Sequence, residues 1–439
     1  TRVQAILRGE ADTIGVIPTP GLAQLVAGEA NASCGVVVTA SHNPPDDNGY
    51  KVYLGDGSQI VPPADADISA CIAAVGPVPQ IPRSDAYEVL GTSVVDAYVA
   101  RATELVGDGA RDAVAIYTPM HGVGGAVFVR AVVQAGFPEP RVVAAQFEPD
   151  GRFPTVHFPN PEEPGAMDLA LAQASGSDAD IIIASDPDAD RCAAGIRTVD
   201  GWRMLSGDEV GALLGWWVVQ RIGMRGGRAQ GVLVESIVSG TMLRSIAEDA
   251  GLDYRTTLTG FKWISRVPGI VYGYEEALGY CVDPSHVTDK DGITAGLLLL
   301  ELPALVKSQG RTIQDVLDDL ARAHGVHANS QVAVRVSDLS VIGATMARLR
   351  HEPPAEIGGY AVAEVVDLSA GVDGLPATDG LRFDMGQARV IVRPSGTEPK
   401  LKCYLQVVVP VAGDLAEAQS QAATGMDLLR AGVSALVGG

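Results

Sequence analysis

Short β-branched runs alternate along this chain with Ala-rich stretches of helical periodicity, which restricts the fold to α/β units. Strands are expected at Thr13–Ile17, Gly35–Val38, Ala113–Tyr117, Arg141–Ala144, Asp180–Ala184, Gly231–Val234 and Val271–Tyr272. Helices are expected at Ala126–Ala135, Met167–Ala174, Asp208–Arg221 and Gly240–Ala250. Two strand-loop-helix passages look alike, Ala115–Gly122 and Ile183–Asp188, each an apolar strand ending in a polar loop that contains proline. Such loops gather at one end of an α/β sheet, where ligands bind. The last segment differs: Ser330–Val336, Val390–Arg393 and Leu401–Val408 alternate as half-exposed strands do, beside amphipathic helices at Val341–Arg350 and Leu415–Ala435. It reads as a smaller α+β domain with an antiparallel sheet. Glycine-rich breaks near 107–109, 223–227 and 325–329 divide the chain into 1–108, 109–224, 225–327 and 328–439.

A length of 439 residues exceeds what one core supports, and 47% apolar content supplies several. A net charge of −21 argues against nucleic-acid and membrane partners and makes an anionic substrate dependent on a locally basic cleft. Five scattered cysteines without metal spacing read as reduced core residues of a cytoplasmic protein. The longest apolar run, Ala295–Pro303, is broken by Glu301 and reads as a buried helix. The chain begins without Met, in mid-pattern, so the N-terminal part of the first domain is expected to be missing.

Four polar loops carry candidate chemistry. Thr39-Ala-Ser-His-Asn-Pro44 follows an apolar strand and runs into Pro and Gly turn signals, so Ser41 sits on a stiff loop where its hydroxyl can face a cleft. The same residues also serve as ordinary turn caps. Lys51, ten residues on, can lower the pKa of a reacting hydroxyl or screen a phosphate on Ser41, or be a plain turn lysine. Asp186-Pro-Asp-Ala-Asp-Arg191 offers Asp186, Asp188 and Asp190 at alternate positions, an oxygen-only set that suits Mg²⁺. Without a cation they repel one another; Arg191 binds substrate or offsets the excess charge.

Gly273-Tyr-Glu-Glu-Ala-Leu-Gly-Tyr280 places Glu275 and Glu276 where they can accept hydrogen bonds from two vicinal sugar hydroxyls, and equally reads as a capped helix start. His286 and Lys290, i and i+4 before a helix that opens near Ile293, can both present positive charge to an anion. Thr259-Gly-Phe-Lys262 is a weaker candidate, with Gly260 at its turn. Arg393-Pro-Ser-Gly-Thr-Glu-Pro-Lys400 combines Arg393, the hydroxyls of Ser395 and Thr397, and Gly396 into a nest for a phosphate dianion.

This ordered set resembles the α-D-phosphohexomutase family, which includes phosphoglucomutases and phosphomannomutases, over essentially the whole chain. The resemblance implies three similar mixed-sheet α/β domains plus a C-terminal α+β domain around a central cleft, and a Mg²⁺-dependent phosphoserine mechanism. It makes Ser41 the phosphoserine, with its phosphate and Asp186, Asp188 and Asp190 as Mg²⁺ ligands. It gives sugar recognition to Glu275, and to Arg393, Ser395, Gly396 and Thr397 the phosphate that is not reacting. Lys51, His42, His286 and Lys290 surround the transferring group and include the general acid and base. The implied activity interconverts hexose 1-phosphate and 6-phosphate through a bound sugar 1,6-bisphosphate, in a monomer or homodimer. Ala277 and the Thr259-Gly-Phe-Lys262 run are more similar to the phosphopentomutase and glucose-1,6-bisphosphate synthase branch, which stands as the alternative. A Mg²⁺-dependent sugar phosphatase and a non-catalytic sugar-phosphate binder are more distant alternatives. The family's N-terminal Gly-Thr-Gly-Arg-type segment, expected before Thr1, is not part of this sequence.

Overall fold

A computed structural model describes residues 17–25, 32–47, 49–82, 90–224, 230–336, 338–372, 374–395 and 400–438. The chain forms two compact units. One runs to Glu235 and adds 250–255 and 260–314; the other comprises 236–249, 256–259 and 315–439.

In the first unit, β1 (Cys34–Val38) pairs antiparallel with β2 (Tyr50–Leu54), and residues 39–49 connect them. The expected strand at Thr13–Ile17 lies outside the described residues except for Ile17. A five-stranded sheet follows, built from β3 (Ala115–Thr118), β4 (Arg141–Val142), β5 (Ile181–Ser185), β6 (Cys192–Thr198) and β7 (Gly201–Met204) in the order β4-β3-β5-β6-β7. The first three strands are parallel and the last two antiparallel. Every residue of β3 and β5 is buried, which explains their unbroken apolar sequence: helices cover both faces.

Three local expectations need correction. The passage after β5 returns as antiparallel β6 instead of entering a helix, because Ala189 adopts φ 57° and reverses the chain. The run after Val142 turns into a helix at Ala144–Phe147. Cys34 and Cys71 are exposed, although all five cysteines are free and the other three are buried.

Strands β8 (Val232–Ser236), β9 (Asp253–Thr257), β10 (Ile270–Glu275) and β11 (Gly279–Cys281) form a mixed sheet in the order β11-β10-β8-β9. Glu275 ends β10 and pairs with Gly279, so Glu275 and Glu276 stand at a hairpin, not a helix start. The helix Gly292–Ser308 is buried nearly all round, and its one interior acid, Glu301, accepts from Trp217 Nε1 at 2.8 Å and from the Gly107 amide at 2.8 Å.

The second unit holds the α+β arrangement expected for the C-terminus. Strands β12 (Val326–Arg335), β15 (Glu364–Asp367), β16 (Leu381–Met385), β17 (Ala388–Pro394) and β18 (Lys400–Val409) form an antiparallel sheet in the order β12-β18-β17-β16-β15, and a short hairpin joins β13 (Glu356–Ile357) to β14 (Tyr360–Ala361). Phe383, Val390, Val392, Cys403 and Leu405 pack from the sheet against helices Leu339–His351 and Leu415–Val437. Among the described residues no helix is long and apolar enough to cross a membrane.

Asp291 caps the Gly292–Ser308 helix: its Oδ1 accepts from the amides of Ile293 and Thr294, each at 3.0 Å, and from Tyr98 Oη at 2.7 Å. Asp291→Ala strands these donors in a dry environment and should cost about 2–4 kcal/mol by urea titration. Asp291→Asn, which keeps an acceptor oxygen, should cost clearly less.

Candidate active site and cation centre

Buried β5 delivers Asp186 to the sheet's end, and the turn closes with the Ala189 amide donating to the Asp186 carbonyl at 3.0 Å. Ligand oxygens of Asp186, Asp188 and Asp190 then lie within 4.8 Å of one another. All three carboxylates are buried, two of them completely. Burial, with Asp188 and Asp190 alongside, pushes Asp186 up to about 8. Asp190 goes the other way: burial opposes its ionisation, but Lys290, Lys51 and Arg191 hold it well below the usual carboxylate range.

Those cations come from separate elements. Lys51, the second residue of β2 and not on an exposed turn, sets Nζ 2.6 Å from Asp188 Oδ2 and 2.5 Å from Asp190 Oδ2. Lys290 Nζ lies 3.0 Å from Asp190 Oδ2. Arg191 donates its backbone N–H to Asp186 Oδ1 at 3.0 Å, with Nε 4.0 Å from Oδ2. Burial works against the Lys51 charge, yet Asp188, Asp190 and Asp289 raise its pKa above the ordinary lysine value. Lys290 is raised in the same way by Asp190 and Asp289. Both ammonium groups are therefore firmly protonated at neutral pH.

Ser41 reaches this cluster from the β1–β2 connection. Its backbone is left-handed, φ 53°, with its amide capped by Thr39 Oγ1 at 2.9 Å. Its Oγ donates to Asp186 Oδ2 at 3.1 Å, joining loops 145 residues apart. The neighbouring His42 imidazole accepts from Arg191 Nη1, 2.8 Å from Nε2. The β10–β11 hairpin adjoins the same loop, with a bridge between Arg191 and Gly279 and the Cys192 amide donating to the Leu278 carbonyl at 3.0 Å. Glu275 Oε1 accepts from the Gly260 amide at 2.6 Å, tying the two sugar-loop candidates together, while Lys262 lies over the Trp263 ring.

His286 and Lys290 take different partners in the structure. The segment Ser285–Lys290 is a loop, so i and i+4 share no face; Lys290 turns into the triad, whereas half-exposed His286 pairs with Asp283 at 3.2 Å. Asp283 in turn takes the Arg101 guanidinium at 2.8 and 3.0 Å. In the second unit, Arg393 Nη1 donates to Thr259 Oγ1 at 2.5 Å, and the Ser395 amide donates to the Lys400 carbonyl at 2.8 Å. Gly396 and Thr397 lie outside the described residues.

Four residues of the site carried no sequence signal that singled them out. Thr19 is completely buried and donates from Oγ1 to Asp188 Oδ2 at 2.8 Å. Asp289, also completely buried, takes Tyr53 Oη at 2.5 Å and Gln59 Nε2 at 2.7 Å on its Oδ2. Their partners lie roughly 170 to 240 residues away, beyond the reach of local pattern.

The donor set suits a hard cation. It is all oxygen, and Asp188 Oδ1 and Asp190 Oδ1 are buried without a hydrogen-bond partner among the described residues.

Comparison with known proteins shows what the chain as a whole is similar to. The four phosphoglucomutase/phosphomannomutase domains match in order: α/β/α domain I at 8–77, II at 96–199, III at 206–324 and the C-terminal domain at 332–412. A probable phosphomannomutase from Haemophilus influenzae is 48% identical over 396 residues, covering 89% of this chain and 80% of the relative. Human phosphopentomutase is 32% identical, covering 90% of this chain and 71% of its own. The crystal structure of a phosphoglucomutase/phosphomannomutase family protein from Burkholderia thailandensis shares the fold, with a TM-score of 0.68 at 20% identity over 96% of this chain and 82% of that one. With all four domains in sequence and relatives matched over most of their length, the chain belongs to the phosphoglucomutase/phosphomannomutase family of mutase enzymes.

Proposed function

We propose that this enzyme interconverts hexose 1-phosphate and hexose 6-phosphate, glucose or mannose, through a phosphoserine at Ser41 and a bound sugar 1,6-bisphosphate. The observation that carries the reading is the Ser41 hydroxyl bonded to a buried triad of carboxylates that is itself paired with fixed cations. Similarity to a probable phosphomannomutase supports a hexose phosphate as substrate.

The charge balance supports a divalent cation as well. Lys51, Lys290 and Arg191 already at least offset the charge of the triad. A phosphoryl group on Ser41 brings roughly two more negative charges, which Mg²⁺ would cancel. Asp186, Asp188 and Asp190, with an oxygen of the Ser41 phosphate, are its proposed ligands. When bound, Mg²⁺ neutralises charge on the phosphoryl oxygens.

In the proposed transfer, a free hydroxyl of the sugar monophosphate attacks the phosphorus on Ser41. The new sugar O–P bond forms as the Ser41 Oγ–P bond breaks; the sugar hydroxyl gives up its proton and Ser41 Oγ gains one. This chemistry needs alignment and neutralisation more than covalent help. Lys51 and Lys290 bring fixed positive charge to the phosphoryl oxygens, and Arg191 and His42 flank the serine. Lysines held charged by carboxylates exchange protons poorly, so His42 is the better candidate base. His286 is reserved for the bound sugar phosphate. Glu275 and Glu276, with Gly260 and Lys262, are assigned to the sugar hydroxyls. Arg393, Ser395, Gly396 and Thr397, with Thr259, are assigned to the phosphate that is not reacting. The bisphosphate then reorients and its other phosphate returns to Ser41. The proposed domain limits are 1–108, 109–224, 225–327 and 328–439. Ala277 and the relationship to a phosphopentomutase favour ribose 1-phosphate as the second substrate to test.

Ser41→Ala should abolish conversion of glucose 1-phosphate to glucose 6-phosphate, by at least about a thousandfold in a coupled assay, with an unchanged circular dichroism spectrum. Running the same assay with mannose 1-phosphate and ribose 1-phosphate ranks the sugars, and a hexose should lead. Chelation with EDTA should stop turnover and Mg²⁺ should restore it. In metal-free buffer, Lys51→Met leaves buried carboxylates uncompensated and should lose about 3 kcal/mol by urea unfolding. Lys307→Met, which breaks a half-exposed pair with Asp180, should lose less than about 1 kcal/mol.

A further inference from the structure

The carboxylates of a cation site bind well only if the loop that carries them is fixed before the ion arrives. Here three consecutive carbonyls of that loop are each held by a different element. Pro187 O accepts from the Val123 amide at 2.8 Å, Asp188 O from the Thr19 amide at 3.0 Å, and Ala189 O from the Gly292 amide at 3.2 Å. The closest of these supports is Pro119–Gly124, between β3 and the helix Gly125–Gln134.

That segment presses against the acidic loop without side chains between them. A Cβ on Gly122 would lie 2.4 Å from Pro187 Cα and 2.6 Å from Pro187 O. A Cβ on Gly124 would lie 2.6 Å from Ala189 Cβ. Ala189 stands between Asp188 and Asp190, so anything that pushes it moves both carboxylates. The supporting segment is itself held in an unfavourable shape, with Met120 at φ 47° and His121 at φ 60°. A polar network fixes it there: Thr118 Oγ1 donates to Gln146 Oε1 at 2.7 Å, the His121 amide to Gln146 O at 2.7 Å, and His121 Nε2 contacts Thr155 Oγ1 at 2.8 Å. Thr118, His121 and Gln146 are buried.

We propose that Pro119–Gly124 is the positioning element of the cation site, and that the missing side chain at Gly124 sets the spacing of Asp188 and Asp190 through Ala189. The inference rests on the cation reading of the triad given above. It assigns no contact with substrate or ion to Gly124; the residue acts through its neighbour.

The clash has a specific remedy. Ala189→Gly removes the methyl group that a Gly124 side chain would strike, and glycine accepts the left-handed backbone at 189 without penalty. Binding of Mn²⁺ alone, followed by electron paramagnetic resonance of the free ion, reads the site without turnover. Wild type should bind Mn²⁺, and Gly124→Ala should weaken binding about tenfold or more. Introduced into Ala189→Gly protein, the same Gly124→Ala change should weaken binding by less than about threefold. In activity assays the Gly124→Ala enzyme should need more Mg²⁺ but approach the wild-type kcat at saturation, a split that general destabilisation does not produce. If Gly124→Ala does not fold, comparing the double variant with Ala189→Gly carries the test, and near-equal binding is expected. Wild-type Mn²⁺ affinity in Gly124→Ala, or an equal loss in both backgrounds, overturns the positioning role and leaves the cation site standing. A wild-type protein that binds no Mn²⁺ overturns the cation reading itself, and this inference with it.

Discussion

Three carboxylates buried within 4.8 Å of one another are the constraint around which the first unit is organised. Such a group is unstable alone, because each charge raises the cost of the next in a poorly solvated place. The fold meets that cost with Lys51, Lys290 and Arg191, drawn from a β-strand, from the loop before a long buried helix, and from the acidic loop itself. Thr19 and Asp289 complete the network. Ser41 is bonded to the same cluster, so the hydroxyl is positioned by the charges that would act on its phosphate.

Much of this was legible in the sequence. Asp180–Ala184 reads as a strand from its apolar run, and the structure has it one residue on, at Ile181–Ser185 and buried throughout. Alternate Asp residues after it read as a candidate cation loop. What sequence does not carry is the partner of each charge. Lys51 reads equally well as a solvated turn lysine, and only the antiparallel pairing of Val37 with Lys51 shows that it sits in a strand. The i, i+4 spacing of His286 and Lys290 does not by itself say which partner each side chain takes. That spacing aligns side chains on a helix, and here the helix begins only after Asp291.

The reversal after Asp190 was also hidden. A strand, a polar loop and a following apolar run describe both a β-hairpin and a strand-to-helix passage, and the choice rests on one left-handed residue, Ala189. Alanine gives no sign that it will adopt that backbone. The fourth loop is informative mainly as sequence. Arg393 and Ser395 lie at the β17–β18 connection of the second unit, and the motif they belong to is what ties them to phosphate.

The central claim is that Ser41 carries the phosphoryl group in transit. Mass spectrometry of the protein after incubation with glucose 1,6-bisphosphate and Mg²⁺ tests it most directly. One phosphoryl group should appear on the peptide containing Ser41, and it should be lost when a sugar monophosphate is added. A phosphate found on another residue, or an active enzyme with no phosphate at Ser41 under any loading condition, would contradict the account.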